Sequence, residues 1–550
     1  MIQRQNIKSV FLLSLAIPLL YSLSAQDTTK RKTIDITSTF KPVLRDAVKI
    51  NFNAAPPGAD SSKVKLNYQV PQQNLLLNYE PASLSPVALQ IDSMNAWKSS
   101  NYIKVGVGNV HIPYIQAGFS FGDGKSTFFN IFANQYTSKG DLPFQKNSLT
   151  GVSAYGTYIT PKNLEWTGKL GFKSDDYFLY GYQPTTLSFT KDQLRQRFQT
   201  IEGSAGLRNL TPTEFGLTYN PNLKVAVFSG DNNGNKATET NSVLNLPLQK
   251  SIGKSFGINL GFTADLTNYK PTSKGTVQNN LYYISPALLL KTPNLYMQTG
   301  VLPSWDNGLF KLLPNIYADI STTDQLFTIQ LGWIGYYEKG SYQRFASINP
   351  WIAQPGELRN TRVREIYGGF KGTLLKHFTY NAKVSFLQLY NMPLFQNDTI
   401  DGKTFVTVYS PSVDMFQVHG EIGYVQGETF NLNAGLTLKK FSKIEDQEKA
   451  WGVLPMEFKA SMRWQILKDL WVKGDLFAWD GAPYRSLAKE TLKGDGGFDL
   501  NAGVEFRITR QLNLWVQMNN IFNNKYERWN QYEVYGFNIL GGIVFNFNQK

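Results

Sequence analysis

Apolar and polar residues alternate along most of this chain with a period of two. The clearest run places Phe498, Leu500, Ala502, Val504, Phe506 and Ile508 on one face and Asp499, Asn501, Glu505 and Arg507 on the other. The same alternation returns over 256–265 and 430–438. Successive side chains of a β-strand point to opposite faces, so the pattern predicts strands with an apolar medium on one side and water on the other.

These runs follow one another from Asn101 onward, separated by turn signals such as 122–124 and 160–163. Counting every run as one crossing gives about 22 strands, and merging neighbours gives about 14 to 16; an even number is expected. Helical patterns are nearly missing, although a soluble sheet of this size needs helices or a second apolar layer to cover it. The predicted fold is therefore all-β: a transmembrane antiparallel β-barrel with an even strand number of about 14–22 and an N-terminal extended segment.

Two kinds of segment interrupt the alternation within the predicted barrel. Irregular stretches predict long loops at one end of the barrel, near 183–197, 340–362, 390–402, 480–494 and 523–534. Aromatic residues near strand ends predict girdles at the two membrane interfaces, with Tyr155, Tyr158, Trp333, Trp471, Phe477 and Trp479 as examples.

The first hundred residues differ from the rest. Arg4 and Lys8 precede an apolar run and a small-residue stretch that ends at Ala25, the order typical of a cleavable export signal. Prolines are frequent between 26 and 100, and proline removes a donor from a strand ladder. The predicted organisation is a signal peptide at 1–25, a Pro-rich periplasmic or lumen-associated segment at 26–100, and a transmembrane β-barrel at 101–550. A disordered linker is the other interpretation of 26–100.

Composition changes this picture little. Aromatic residues make up 14% of the chain, which suits interfacial girdles, and the mean hydropathy of −0.28 fits strands with one wet face. The formal net charge is +14, but the basic residues are scattered, whereas nucleic-acid binding needs a clustered patch. We therefore expect no nucleic-acid partner, and we expect the cations to line the lumen or to meet lipid phosphates.

The residues that usually carry catalysis or bind metals form no pattern here. Cysteine is absent, and His111, His377 and His419 lie far apart without metal-ligand spacing. The stretch 124–126 is similar to the end of a phosphate-binding loop, but Phe119 stands where that loop requires glycine. We predict no catalytic, cofactor-binding or metal-binding residues, no cofactor, and no enzymatic activity.

The end of the chain carries a more specific pattern. The predicted barrel-closing terminal strand has one apolar face, made of Phe537, Ile539, Ile543, Phe545 and Phe547. Together with the preceding stretch 515–526 and Gly536, it resembles the closing hairpin of TonB-dependent receptor barrels. The texture of the chain, including Ser-Ala-Gln at the signal cut, is similar to outer-membrane proteins of Bacteroidota. Two features depart from the family: 26–100 is too short for its plug domain, and residues 548–550 follow the last aromatic.

This resemblance implies an integral, multi-pass protein of the outer membrane of a Gram-negative bacterium, in contact with membrane lipid and lipopolysaccharide. Its expected function is solute passage or uptake, and Ile34, Asp35 and Ile36 form the candidate TonB box. An alternative is a non-enzymatic barrel subunit of a larger outer-membrane complex for secretion, nutrient uptake or protein assembly, which binds outer-membrane or periplasmic proteins through residues 26–100. A secreted all-β binding protein such as a propeller is disfavoured because no repeat of about 40–50 residues is present.

Overall fold

The computed structural model describes residues 101–322, 326–374 and 377–547, which form antiparallel strands with very little helix. In chain order the elements are β1 (Asn101–Gly108), β2 (His111–Gly122), β3 (Thr127–Lys139), β4 (Lys146–Ile159), β5 (Leu164–Phe178), α1 (Lys191–Leu194), β6 (Arg195–Asn209), β7 (Leu217–Tyr219), β8 (Asn222–Asn232), β9 (Asn235–Ile252), β10 (Phe256–Lys270), β11 (Val277–Lys291), β12 (Leu295–Asp306), β13 (Leu309–Ser321), β14 (Phe327–Glu338), α2 (Tyr342–Ile348), β15 (Thr361–Leu374), β16 (Phe378–Asn397), β17 (Phe405–Gln426), β18 (Phe430–Ile444), β19 (Met456–Leu467), β20 (Leu470–Trp479), β21 (Pro483–Arg485), β22 (Thr491–Lys493), β23 (Gly497–Arg507), β24 (Leu512–Asn519), β25 (Glu527–Trp529), β26 (Tyr532–Glu533) and β27 (Asn538–Phe547).

The main sheet closes on itself. Each barrel strand pairs with its neighbour in the chain, and β27 pairs with β1 from Asn101 opposite Phe547 to Gly108 opposite Leu540. Strands β7 and β8 both pair with β9 and form one crossing interrupted at Pro221, since proline has no N–H to donate. The hairpins β21–β22 and β25–β26 lie in loops outside the main sheet. The result is a closed antiparallel barrel of 22 strands, which confirms the predicted fold class.

Burial in this barrel is inverted relative to a soluble protein. On β23 the apolar side chains of Phe498 and Phe506 are 41% and 46% exposed, whereas Asp499 and Glu505 on the opposite face are 7% and 5% exposed. The outer faces of β10 and β27 are likewise apolar and exposed. An exposed apolar band around a closed sheet is the arrangement that hydrocarbon stabilises, while the polar side chains face the interior.

The two ends of the barrel differ. Both Asn101 and Phe547 lie at the end that carries the short turns, such as 123–126 and 160–163, which we call the turn end. The opposite end, here the loop end, carries longer connections at 179–194, 339–360, 398–404, 445–455, 480–496 and 520–537. These positions agree with four of the five predicted loops.

The fifth predicted loop, 390–402, is wrong for residues 390–397. These residues continue β16 and pair with β17, from Met392 opposite Ser410 to Asn397 opposite Phe405. Asn391 has a left-handed backbone (φ 57°), but the register is the same on both sides of it, with Tyr390 opposite Ser412 and Met392 opposite Ser410. The strand therefore continues through the residues that the sequence suggested as a loop.

The seam between the last and first strands is packed around Trp515 of β24. The Trp515 side chain is 1% exposed, and the Lys104 ammonium lies 3.9 Å from its ring centroid. Glycine is required opposite the ring, because a Cβ at Gly106 would lie 2.4 Å from it. Barrel closure thus depends on close backbone approach as well as on the ladder of hydrogen bonds.

Two adjacent glycines of β27 provide a matched test of this seam. A Cβ at Gly542 would lie 1.9 Å from the carbonyl oxygen of Val105 in β1, whereas a Cβ at Gly541 meets nothing closer than 3.2 Å. We expect Gly542→Ala to lower the free energy of unfolding by about 1–3 kcal/mol, as overpacking does, and Gly541→Ala to lower it less. Urea titration of the folded fraction in lipid vesicles, read from heat-dependent electrophoretic mobility, checks the difference. Equal losses for the two variants would contradict the seam geometry.

Candidate functional site

The longest connection at the loop end is held to the barrel wall by a charged acceptor. This loop, 339–360, contains the short helix α2. The carboxylate of Glu239 in β9 accepts hydrogen bonds from the backbone N–H groups of Tyr342 (2.5 Å) and Gln343 (3.3 Å) at the start of α2. The hydroxyl of Ser341 accepts from the N–H of Arg344 (3.1 Å) as an N-cap. The first turn of the helix is therefore fixed both locally and to a distant strand.

An aromatic core joins this loop to strands far apart around the barrel. Tyr342 packs against β6, β8 and β10, while Phe345 packs toward β16. The buried members of the core are Phe198, Phe228, Ala237, Tyr269, Tyr342, Phe345, Ala346, Ile348, Ile352, Leu358, Phe395, Phe405, Tyr409, Trp529 and Tyr532. Trp529 and Tyr532 come from the last loop, 520–537. Because one helix contacts both sides of the wall, the loop bridges the mouth of the barrel.

Hydrogen bonds connect three loops into one unit, and a fourth loop, 339–360, joins them through Trp351, whose ring stacks on that of Tyr532. The hydroxyl of Tyr180 donates to the carbonyl of Glu533 (2.8 Å), and the N–H of Gln183 donates to the carbonyl of Asp401 (2.9 Å). The hydroxyl of Tyr532 donates to the carbonyl of Lys403. We call the loops 179–194, 339–360, 398–404 and 520–537 together the loop cap. Each of these hydrogen bonds pairs a backbone carbonyl of one loop with a donor from another.

The loop 398–404 owes its shape to one carboxylate. Asp398 accepts hydrogen bonds from the backbone N–H groups of Ile400, Asp401 and Thr404 at 2.9–3.1 Å. Burial raises the pKa of Asp398, but these hydrogen bonds outweigh it and hold the pKa below its usual range. The folded pKa lies below the unfolded one, so this contribution to stability is present above the unfolded pKa and is lost as the pH falls through the folded value.

Beneath the loop cap lies a cavity of about 500 Å³, a size that suits a small organic ligand. Its walls are the inner faces of strands β14 to β20, closed on the loop side by Arg344, Ile348, Gly452, Val453, Arg528 and Trp529. Most of the lining surface is apolar, with Leu387, Leu389 and Met415 among its residues. Apolar walls with a few polar groups are typical of ligand sites.

The charges of the cavity wall are mostly paired. Four of its five carboxylates contact a basic partner: Glu338 with Arg344, Glu365 with Lys383 (2.8 Å), Glu421 with His419 (2.9 Å) and Glu457 with Lys439 (3.1 Å). The fifth is Asp475. Where the net charge suggested a basic lumen, most carboxylates of this wall contact a basic side chain, and two of the pairs, Glu365 with Lys383 and Glu457 with Lys439, join neighbouring strands.

Arg528 differs from the other cations of the wall. Its side chain is 7% exposed, its Nη2 donates to the carbonyl of Gly452 (3.0 Å), and its guanidinium lies over the ring of Trp529 (4.4 Å). The Nε and Nη1 atoms have no hydrogen-bond acceptor among the described residues. Burial lowers the pKa of Arg528 to about 10, and the nearby charge of Glu457 opposes this shift only in part.

Of the residues that the sequence analysis considered individually as candidates for a site or for the closing strand, only His419 lines this cavity. The predicted closing strand corresponds to β27. Four of its predicted apolar residues lie within β27, namely Ile539, Ile543, Phe545 and Phe547, and Phe537 directly precedes the strand. Ile34, Asp35 and Ile36, with the signal peptide and the segment 26–100, lie outside the described residues.

The three histidines are not brought together. His111 contacts the hydroxyl of Ser138 (2.6 Å), His377 contacts the carbonyl of Val425 (2.8 Å) near the turn end, and His419 lines the cavity beside Glu421. Across 101–322, 326–374 and 377–547, no group of three or more His, Cys, Asp or Glu residues is placed to hold a metal ion.

Within these same ranges no helix has both the length and the hydropathy needed to cross a membrane.

The chain matches no family model and no curated protein, but it is similar to solved structures. The FrpB iron transporter from Neisseria meningitidis (F3-3 variant) aligns with a TM-score of 0.64 and 10% identity, covering 82% of each chain. The siderophore receptor PirA from Acinetobacter baumannii aligns with a TM-score of 0.62 and 10% identity, covering 82% of this chain and 80% of that one. The chain has the barrel fold of these receptors.

A third similar structure is the ferripyoverdine receptor of the outer membrane of Pseudomonas aeruginosa, with a TM-score of 0.60 and 11% identity. The alignment covers 82% of this chain and 72% of that receptor. These neighbours are transport receptors and not enzymes. The resemblance noted in the closing hairpin thus extends, as a fold, over most of the barrel.

Proposed function

We propose that this protein passes a selected solute across the outer membrane of a Gram-negative bacterium, with residues 1–25 directing its export. The observation that carries the proposal is the combination of a closed 22-strand barrel with a loop cap that bridges one mouth. A barrel of this size encloses a wide interior, and 22-stranded transporters characteristically have an obstructed lumen. A folded cap above a ligand-sized cavity suits capture and gated passage better than free diffusion.

The similar structures support this proposal through their fold. They include an iron transporter and a siderophore receptor, so the shared barrel is an architecture used for uptake. In the proposed orientation the loop end faces outward and the turn end faces the periplasm, as in other outer-membrane barrels. The exposed apolar band contacts membrane lipid and lipopolysaccharide.

The partners on the periplasmic side remain part of the proposal. Residues 26–100 are long enough to reach a neighbouring protein, and Ile34, Asp35 and Ile36 are the candidate contact for an energy-transducing partner. A role as a barrel subunit of a larger complex uses the same segment for docking. Deletion of the protein separates the two roles: loss of solute uptake indicates transport, and an altered set of other outer-membrane proteins indicates the subunit role.

The test compares native cells with and without this protein in a complex nutrient medium. Uptake predicts that at least one solute disappears more slowly from the medium of the deletion strain, and that the wild-type gene restores its removal. Unchanged depletion of every solute, together with an altered set of other outer-membrane proteins, would overturn the proposal in favour of the subunit role. Unchanged depletion alone would also contradict uptake.

A further inference from the structure

Arg528 provides unused hydrogen-bond donors at the edge of the cavity. A guanidinium carries five N–H donors, and here the single N–H of Nε and both of Nη1 lack an acceptor among the described residues. The indole N–H of Trp529, which also lines the cavity, likewise has none. Buried donors in native proteins are nearly always paired, so donors left open beside a cavity indicate a place for an acceptor from a ligand.

The local charge indicates the sign of that ligand. Glu457 is contacted by Lys439 at 3.1 Å and by Lys459 at 3.5 Å, and its charge also acts on Arg528. Three cations therefore surround one carboxylate. A buried arginine without a carboxylate in contact is stabilised by an added anion, since an uncompensated buried charge is costly.

The rest of the cavity indicates the body of the ligand. Beyond the Arg528 corner, Leu387, Leu389, Met392 and Met415 present apolar surface, while Glu365 contacts Lys383 and Glu421 contacts His419. A second anionic group on the ligand would have to compete with Glu365 and Glu421 for these basic side chains. The cavity volume of about 500 Å³ leaves room for a small organic molecule.

We propose that this cavity binds an organic monocarboxylate with an apolar body, whose carboxylate accepts hydrogen bonds from Arg528. The proposal deepens the proposed function, because it rests on the same site and names the class of solute. Arg528 would hold the anionic head, Trp529 would flank it, and the leucine and methionine side chains would contact the body. Guanidinium and carboxylate are well matched in geometry and charge.

Calorimetry on the full-length protein in detergent tests the ligand class directly. The probe is 4-phenylbutyrate, and 4-phenylbutyramide is its neutral control with the same apolar body. We expect the wild type to bind the acid more tightly than the amide. In Arg528→Gln we expect affinity for the acid to fall roughly tenfold or more, because hydrogen bonds to charged groups are the stronger ones, while affinity for the amide is unchanged.

Arg359→Gln is the matched control. Arg359 is an exposed arginine of the same cap that pairs with Glu357 and does not line the cavity, so its loss should leave both affinities unchanged. Heat-dependent electrophoretic mobility verifies that each variant is folded. If Arg528→Gln fails to fold, Lys459→Gln serves instead, with a smaller loss expected for the acid alone.

Three results would overturn the inference: no binding of the acid to the wild type, equal affinity for acid and amide, or unchanged acid binding in a folded Arg528→Gln. Tighter binding of phenyl phosphate than of 4-phenylbutyrate would overturn the assignment of a carboxylate head. The depletion experiment on the deletion strain tests transport separately from ligand binding. Arg528-dependent binding with normal solute depletion by the deletion strain would refute transport and leave the site standing.

Discussion

Deletion of residues 341–358 is expected to let ions pass through the barrel in a planar lipid bilayer where the intact protein blocks them. This segment contains α2 and contributes Tyr342, Phe345 and Ile348 to the aromatic core that bridges the mouth. Its removal takes away the element that contacts both sides of the wall. The lumen of a 22-strand barrel is wider than that of roughly 16–18-stranded porins, which already conduct, so the expected change is from a silent to a conducting protein.

The structure makes this deletion practicable and supplies its control. A Cβ at Gly340 would lie 1.9 Å from the carbonyl of Arg359, so the two ends of the deleted segment are adjacent and a short glycine linker joins them. Residues 482–493, which include the β21–β22 hairpin, also have adjacent ends and contribute nothing to the aromatic core. Their deletion should leave the protein silent. Currents through the intact protein equal to those of the 341–358 deletion would refute closure by the loop cap.

The N-terminal segment is tested by the same measurement. If deletion of 341–358 leaves the protein silent and the additional removal of 26–100 opens it, the N-terminal segment obstructs the lumen. If the first deletion suffices, the loop cap is the main obstruction. Either outcome identifies the segment that has to be displaced before a solute can pass through the lumen.

The second large effect is expected from a charge placed on the outer face of the barrel. Val516 and Gln517 are adjacent in β24, but Val516 is 43% exposed on the apolar outer face and Gln517 is 8% exposed on the inner face. We expect Val516→Arg to lower the free energy of unfolding in lipid vesicles by about 2–4 kcal/mol, because its position is near the middle of the apolar band. Urea titration of the folded fraction measures the loss.

Gln517→Arg is the matched control for this prediction. The same side chain then enters the polar interior, where long basic residues are already accommodated in pairs, and we expect a clearly smaller loss. A greater loss from Gln517→Arg than from Val516→Arg would invert the assigned faces of the strand. It would thereby contradict the lipid contact on which the proposed function depends.

Local periodicity explains why much of the fold was predictable. The side chains of Phe498 and Val504 lie on one face of β23 whatever the neighbouring strands do, because the pleat of a strand alternates its side chains. A long series of such strands without helices leaves closure as the solution that exposes no edge. The same signal allowed two strand counts, about 22 with every run as one crossing and about 14 to 16 with neighbours merged, and the structure has 22.

The aromatic residues of β20 show that a ring near a strand end is not by itself a sign of a girdle. Trp471 and Trp479 were expected in an interfacial girdle, but they are 3% and 4% exposed and face the interior. Trp471 lies opposite Glu505, an inner-face residue of β23. The two tryptophans share their face of β20 with Lys473 and Asp475, whereas the other face carries no polar side chain. The alternation of β20 therefore assigns the tryptophans to the polar interior, and their position near the strand ends was the misleading signal.

The candidate site could be predicted from the sequence even less than the fold. Arg528 was part of a segment recognised only as a loop, and its carbonyl partner, Gly452, is 76 residues away. The residues that line the cavity come from seven strands and three loops, so no spacing of residues in the sequence predicts the cavity. The chain alone therefore determined strands, their apolar faces and the closed barrel, since these depend on neighbours in sequence. The loop cap, the ion pairs and the open donors of Arg528 arise only when distant loops meet across the barrel, which is a matter of tertiary contact.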